Sequence, residues 1–183
     1  MASTLFKVIN FIWFQTIWVV AILWQQQWLG LLALLITAHL IVTPHKRIEI
    51  GLWLLGGALG ITLDSVLALT GFFVFTPAPT HLPIPWWLVM VWCAFLGTLR
   101  NSLAYLLEKP VLAIGLGAIF APISYFAGMR LGAVAFGKGT LITLAIISFS
   151  WAILMPLLIA INHWLCQHLS TKSKKNQNNP RAI

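Results

Sequence analysis

Acidic residues are scarce in this chain. Its 183 residues include three Asp and Glu against eleven Lys and Arg, and only 8% of all residues are charged. Soluble proteins carry about 25% charged residues. With so few carboxylates there is no paired-acid catalytic site, and the sequence also has no Walker loop and no GxSxG nucleophile motif. These absences exclude several large enzyme classes.

Cysteine is almost as rare. Cys93 and Cys166 are the two cysteines, and they fall at opposite predicted ends of the molecule without metal-type spacing. Four histidines cluster toward one predicted end, but in pairs separated by six and five residues, where helical metal pairs prefer three or four. These are His39, His45, His163 and His168. We therefore predict free thiols, no metal site and no cofactor.

The basic residues indicate a membrane rather than a nucleic acid. The formal net charge is +8, but four of the bases lie in the last twelve residues and most others flank apolar runs. This distribution is typical of membrane topology signals. We expect contact with membrane lipids and no nucleic-acid partner.

Long apolar runs dominate the sequence. Of its residues, 60% are hydrophobic, and ten are Trp. Runs of about twenty apolar residues are long enough to cross a bilayer as helices. The sequence predicts an all-α, polytopic membrane protein with a bundle of six transmembrane helices in residues 1–169, followed by a disordered basic cytoplasmic tail in residues 170–183. The predicted spans are Leu5–Trp24, Trp28–Thr43, Ile48–Gly71, Pro85–Leu107, Pro110–Gly128 and Gly139–Leu165.

Charge asymmetry gives the predicted orientation. With six spans, one side of the membrane holds Lys7, Lys46, Arg47, Lys109 and the bases of the tail, and the other holds only Arg130 and Lys138. Because basic loops remain in the cytoplasm, both termini are expected there.

Asp64 is the residue around which the sequence is organised. It lies in the apolar run Gly51–Gly71, where a charged carboxylate costs at least ~2.5 kcal/mol and normally faces a bundle interior. Gly56 and Gly60 precede it at intervals of four, so a small-residue helix face carries the acid inward. Arg130 is the first candidate for charge compensation; Arg100 and a protonated, unpartnered Asp64 are the alternatives.

A polar stripe is predicted on the fourth span. Thr98, Asn101, Ser102 and Tyr105 recur at helical spacing, which favours either a pocket wall or interhelical hydrogen bonds that only hold the bundle. Adding residues from other spans, the predicted ligand-binding set contains seven members and no catalytic residue. It consists of Asp64, Gln15, Thr98, Asn101, Ser102, Tyr125 and Arg130.

Four segments carry a family resemblance: NFIWFQTIW at Asn10–Trp18, Asp64 itself, PWWLVMVWCAFLGTL at Pro85–Leu99 with Ser102, and APISYFAGMRLGA at Ala121–Ala133. Together they resemble a family of small bacterial inner-membrane proteins, Domain of Unknown Function 2878. The resemblance covers the chain to about residue 165. It implies a multi-pass protein of the bacterial cytoplasmic membrane and no particular activity.

Three functions remain open on these residues. The favoured one is binding or transport of a small molecule or lipid in an intramembrane polar cavity. An accessory protein that binds a partner membrane protein through its glycine faces is the second. An intramembrane enzyme acting on lipid, with Asp64 as acid or base and Tyr125 as donor, is the least favoured.

Overall fold

The computed structural model describes the chain from Thr4 to Gln177, with side chains to Leu169. It is almost entirely helical, which confirms the predicted all-α class. The helices are α1 (Thr4–Trp24), α2 (Leu29–Val42), α3 (Lys46–Leu69), α4 (Trp86–Thr98), α5 (Pro110–Arg130) and α6 (Thr140–Gln177), with short 3₁₀ helices at Gln25–Trp28 and Ala104–Glu108 and two strands, β1 (Phe73–Val74) and β2 (Ala135–Phe136).

The first two helices form a hairpin. The chain turns at Gln25, which has a positive φ of 49°. Beyond the turn α2 runs back along α1, so that the Trp13 Nε1 donates to the carbonyl of Leu35 at 3.1 Å. An indole donor inside an apolar hairpin must find an acceptor, and this bond fixes the register of the two helices.

The structure does not support six full-length spans. Four helical stretches are long and apolar enough to cross a membrane, with Thr4–Val42 counted as one: the others are Lys46–Leu69, Pro110–Arg130 and Thr140–Leu169. Taken alone, α2 has 14 residues and α4 has 13. Such helices extend about 20 Å, less than the ~30 Å hydrocarbon core. The prediction failed here because hydropathy does not report where a helix ends.

The fourth predicted span ends nine residues early, at Thr98. The Asn101 Nδ2 donates to the carbonyl of Gly97 at 2.7 Å, and the Asn101 backbone N–H turns instead to the carbonyl of Thr98. A side chain that donates to a helix carbonyl in this way replaces the backbone N–H that would otherwise continue the helix. The prediction that Thr98, Asn101, Ser102 and Tyr105 share one helical stripe is therefore wrong.

One end of the bundle is closed by an antiparallel ribbon, and we call it the ribbon end. Phe73 pairs with Phe136, and Val74 with Ala135. The ribbon needs glycine beside it, because a Cβ on Gly137 would lie 2.4 Å from the Gly71 carbonyl oxygen. The turn after α1 joins this end, where the Gln26 Oε1 accepts from the Trp87 backbone N–H at 3.2 Å.

The opposite end, which we call the tail end, holds the start of α1, the loop between α2 and α3 and the C-terminal half of α6. The structure carries α6 to Gln177, past the predicted start of the tail at residue 170. Residues 178–183 lie outside the described part of the chain. The disorder of the tail and its cytoplasmic position stay predictions.

Glycines bring α3 close to α4 and α6, as the small-residue face predicts. A Cβ on Gly56 would lie 2.8 Å from the Leu158 Cδ2, and one on Gly60 would lie 2.5 Å from the ring of Trp92. Gly117 does the same between α5 and α6, against Met155. These contacts form part of a core that also includes buried residues of α1 and α2, such as Ile17 and Leu32.

Candidate functional site

Asp64 is fully buried and faces inward, as its sequence context predicts. Both carboxylate oxygens accept hydrogen bonds from neutral donors. The Trp92 Nε1 donates to Oδ2 at 2.7 Å, and the Tyr125 hydroxyl donates to Oδ1 at 2.7 Å. Three elements therefore converge on this carboxyl group: α3 supplies the acceptor, and α4 and α5 supply one donor each.

Gly60 explains how Trp92 reaches the carboxylate. It lies one helical turn before Asp64, and its missing side chain leaves room for the indole to lie flat on α3. Trp151 of α6 stacks on the other face of Trp92, with ring centroids 5.2 Å apart and planes 12° from parallel. The indole is held on both faces, so its N–H is fixed toward Asp64.

Arg130 is not the partner of Asp64. No ion pair to Asp64 occurs within residues 4–169, and Arg130 is an exposed residue at the last position of α5. Arg100 is engaged elsewhere, because its Nη1 donates to the Asn162 Oδ1 at 3.0 Å and contacts the Cys166 Sγ at 2.9 Å. Two neutral donors take the place that the sequence assigned to a cation.

A cavity of about 650 Å³ lies against this group. Twelve of its 28 lining residues are aromatic, and none is charged, so its walls suit an apolar guest. Its volume falls within the ~300–1,000 Å³ typical of small-molecule sites. Tyr125 and Trp92 line it, whereas Asp64 lies behind them. The cavity is therefore mainly apolar, not polar as the sequence suggested.

The cavity lies between α1 and α5. The two helices approach at the ribbon end, where a Cβ on Gly128 would lie 3.4 Å from the Ile22 Cδ1. Farther along, Phe11 of α1 and Phe120 and Ile123 of α5 line the cavity and are also exposed on the outer surface. These apolar residues mark a lateral mouth that faces the surroundings of the bundle.

Among the hydroxyl and amide side chains of this lining, three have no protein partner within residues 4–169: Tyr105, and two on the facing helices. Gln15 is on α1 near its midpoint, and Ser124 is on α5. Within the part of the chain that has described side chains, neither makes a hydrogen bond. Because an unpaired amide or hydroxyl is costly in an apolar setting, both groups are available to a guest.

The structure divides the seven predicted site residues. Gln15, Thr98 and Tyr125 line the cavity, and Asp64 lies directly behind it. Asn101 and Ser102 turn away toward the tail end, where the Ser102 hydroxyl donates to the Asn10 Oδ1 at 2.7 Å. Arg130 is not among the lining residues.

A second buried carboxylate, Glu49, did not stand out in the sequence, because it lies beside Lys46 and Arg47 at the start of an apolar run. It is fully buried and accepts from three side chains. The partners are His39 Nε2 at 2.7 Å, Thr43 Oγ1 at 2.5 Å and Asn101 Nδ2 at 2.9 Å. The available signal was the one-turn spacing of His39 and Thr43, which puts both on one face of α2.

Trp13 completes this group, which we call the Glu49 network. Its indole stacks on the His39 ring with centroids 4.4 Å apart. The network joins α1, α2, α3 and the turn after α4 at the tail end. Across residues 4–169, no cluster of three or more His, Cys, Asp or Glu side chains has the arrangement of a metal site.

Comparison with known proteins yields one match. Residues 7–157 match the model of the family described as "Protein of unknown function (DUF2878)". No curated protein and no solved structure matches the chain.

Proposed function

Because this chain belongs to the family of unknown function DUF2878, we propose its function from the site alone: it is an integral membrane protein that binds a lipid-like small molecule in the cavity between α1 and α5. The observation that carries the proposal is the cavity itself. It is lined mainly by aromatic and aliphatic side chains and has exposed apolar residues at its mouth. Such a mouth, if it faces lipid, admits a guest from the bilayer without passage through water.

The polar groups of the cavity define where the guest is held. Gln15 and Ser124 offer free hydrogen-bonding groups on opposite walls, and Tyr125 presents its ring with the hydroxyl directed to Asp64. A guest with one hydrogen-bonding group on an apolar body matches this lining. We propose Asp64 as the residue that orients Tyr125, because the carboxylate does not itself line the cavity.

The lipid environment is also part of the proposal. We propose the bacterial cytoplasmic membrane, with the tail end in the cytoplasm and with α2 and α4 as short spans in the bundle. Lys7, Lys46 and Lys109 lie at the starts of α1, α3 and α5, all at the tail end. Labelling of single cysteines in intact cells, with Cys93 and Cys166 replaced by Ser, tests this orientation: Lys138→Cys should react with an impermeant maleimide, and Lys109→Cys should react only after lysis.

Filling the cavity tests the binding proposal. Ala127 lines the cavity, and Ala127→Phe adds a ring inside it. Ile119→Phe is the matched control, because Ile119 lies on the same helix, is 57% exposed and is not a lining residue. Native mass spectrometry of protein in nanodiscs should show a retained small molecule in the wild type and the control, with at least about a tenfold loss in Ala127→Phe, or ~1.4 kcal/mol. Equal retention in both variants would contradict the proposal.

The contact between Tyr125 and Asp64 favours a second candidate, an enzyme acting on the same guest. A phenol on the cavity wall, bonded to a carboxylate at 2.7 Å, has the geometry of a proton donor with its supporting acid. Lipid profiles separate the two candidates. If the protein is an enzyme, Tyr125→Phe cells should lack a lipid product although the protein still retains its guest; a binding protein leaves the lipid composition unchanged.

A further inference from the structure

A second pocket adjoins the cavity at the ribbon end, and we call it the vestibule. Its volume is about 230 Å³. The turn after α1 lines it with Gln25 and Gln26, and the loop after β1 lines it with Thr76 to Thr80. It lies at the end of the bundle, not within the span of the helices, so it is the part of the site suited to a polar group.

The vestibule and the cavity share a wall. Phe75 and Trp87 line both spaces, and the two rings meet edge to face with centroids 6.2 Å apart. Both side chains are buried. These two aromatic side chains therefore form the boundary between the vestibule and the cavity.

Four of the eleven residues that line the vestibule are polar, and none is charged. The Gln26 Oε1 is used by the Trp87 backbone N–H, which leaves the Gln26 amide donors and the hydroxyls of Thr76 and Thr80 to face a guest. Arg130 and Lys138 lie at the ribbon end but are not among the residues that line the vestibule. A phosphate or carboxylate there would meet no cation in the lining, whereas the amide and hydroxyl groups match a head that carries a hydroxyl or amide.

We propose that the guest is a single-chain amphiphile with an uncharged hydrogen-bonding head, held with its head in the vestibule and its chain in the cavity, past Phe75 and Trp87. This inference rests on the proposed function, since it needs the cavity to hold the chain. It adds the chemical class of the head and the direction in which the molecule lies.

Two probes with the same chain and different heads test the inference. They are 1-monooleoylglycerol, which is neutral, and oleoyl lysophosphatidylglycerol, which is anionic. Titrated into nanodiscs and followed by native mass spectrometry, the wild type should favour the neutral probe by at least about tenfold. Equal affinity, or a preference for the anionic probe, would overturn the assignment of the head.

A cation placed in the vestibule should reverse the preference. Thr80→Lys should shift the ratio of the two affinities toward the anionic probe by at least about tenfold. Thr70→Lys, at the same end but outside the vestibule, is the control and should leave the ratio unchanged. Thr76→Lys repeats the test if Thr80→Lys does not fold. A similar shift in the control would mean that surface charge alone selects the head, which would also overturn the inference.

The outcomes also separate this inference from the proposed function. If neither probe binds, or if Ala127→Phe leaves the binding of both unchanged, the cavity does not hold a chain and the proposed function fails. If both probes bind through the cavity with equal affinity, the proposed function stands and only the neutral head in the vestibule is wrong.

Discussion

The two buried carboxylates of this protein have different surroundings. Glu49 at the tail end accepts from three side chains and is enclosed by protein. Asp64 accepts from two neutral donors, and both donors also line the cavity. A buried acid whose donors contact only protein stabilises the fold. An acid whose donors line a cavity can also act on a molecule that enters the cavity.

The Glu49 network should therefore give the largest stability effect. Glu49→Ala removes the acceptor of three buried donors, and breaking such a group costs about 3–5 kcal/mol. Thermal unfolding in detergent should show the loss, together with lower protein levels. Glu108→Gln is the control, because Glu108 is exposed. A Glu49→Ala protein as stable as the control would show that the network does not hold α1, α2, α3 and the turn after α4 together.

Gly60→Ala should give the next largest loss of stability, and it should disturb the donors of Asp64. The added Cβ would lie 2.5 Å from the Trp92 ring, so either the indole or α3 must move, at ~1–3 kcal/mol. Gly115→Ala is the control, since nothing lies within 4 Å of a Cβ there. Unfolding temperatures and the emission of the buried tryptophans measure the difference. Equal behaviour of the two variants would mean that Trp92 is not seated on α3 as described.

Substitution of Asp64 by Asn sharpens the same contrast. Asn keeps one acceptor oxygen for the Trp92 indole, and its NH₂ group can donate to the Tyr125 hydroxyl oxygen, so the change should cost only ~0.5–1.5 kcal/mol of stability. A purely structural Asp64 should thus tolerate this change. Tyr125→Phe leaves the buried Oδ1 of Asp64 without its donor, at ~1–3 kcal/mol.

Retention of the cavity guest is the decisive measurement for these two variants. Both should lose guest by more than their stability loss implies, because Tyr125 lines the cavity. Ser102→Ala, which breaks a bond between two residues that do not line the cavity, is the control for a lost hydrogen bond. Guest retention that simply follows stability in all three variants would assign Asp64 a structural role.

The smallest effect should come from His45, which precedes α3 near the Glu49 network. Burial, followed by the positive charge of Arg100, lowers the pKa of His45 below its usual 6.5. The unfolded chain therefore takes up this proton first as pH falls, so stability should decline from about pH 6.5 downward, to a limit below the folded pKa. His45→Asn should flatten that part of the stability profile. A profile steeper in the variant than in the wild type would contradict this sign.

The site was only partly predictable from sequence. Asp64, Gln15, Thr98 and Tyr125 were identified because polar side chains in apolar runs are individually conspicuous. Trp92 was not, since indoles near membranes usually need no special explanation. For Asn101 the sequence left open a pocket wall or a hydrogen bond between helices, and the structure shows the second: Asn101 ends α4 and bonds Glu49.

The sequence by itself determined the class of protein, the apolar helices and the inward position of Asp64, because the cost of placing each side chain in hydrocarbon is a local property of the chain. Only the tertiary structure decided the partners of the two carboxylates, the ends of α2 and α4 and the position of the cavity. The bonds to Asp64 and Glu49 join residues up to 61 positions apart. Such pairs depend on how each helix is rotated against its neighbours, and close packing around glycines sets that rotation.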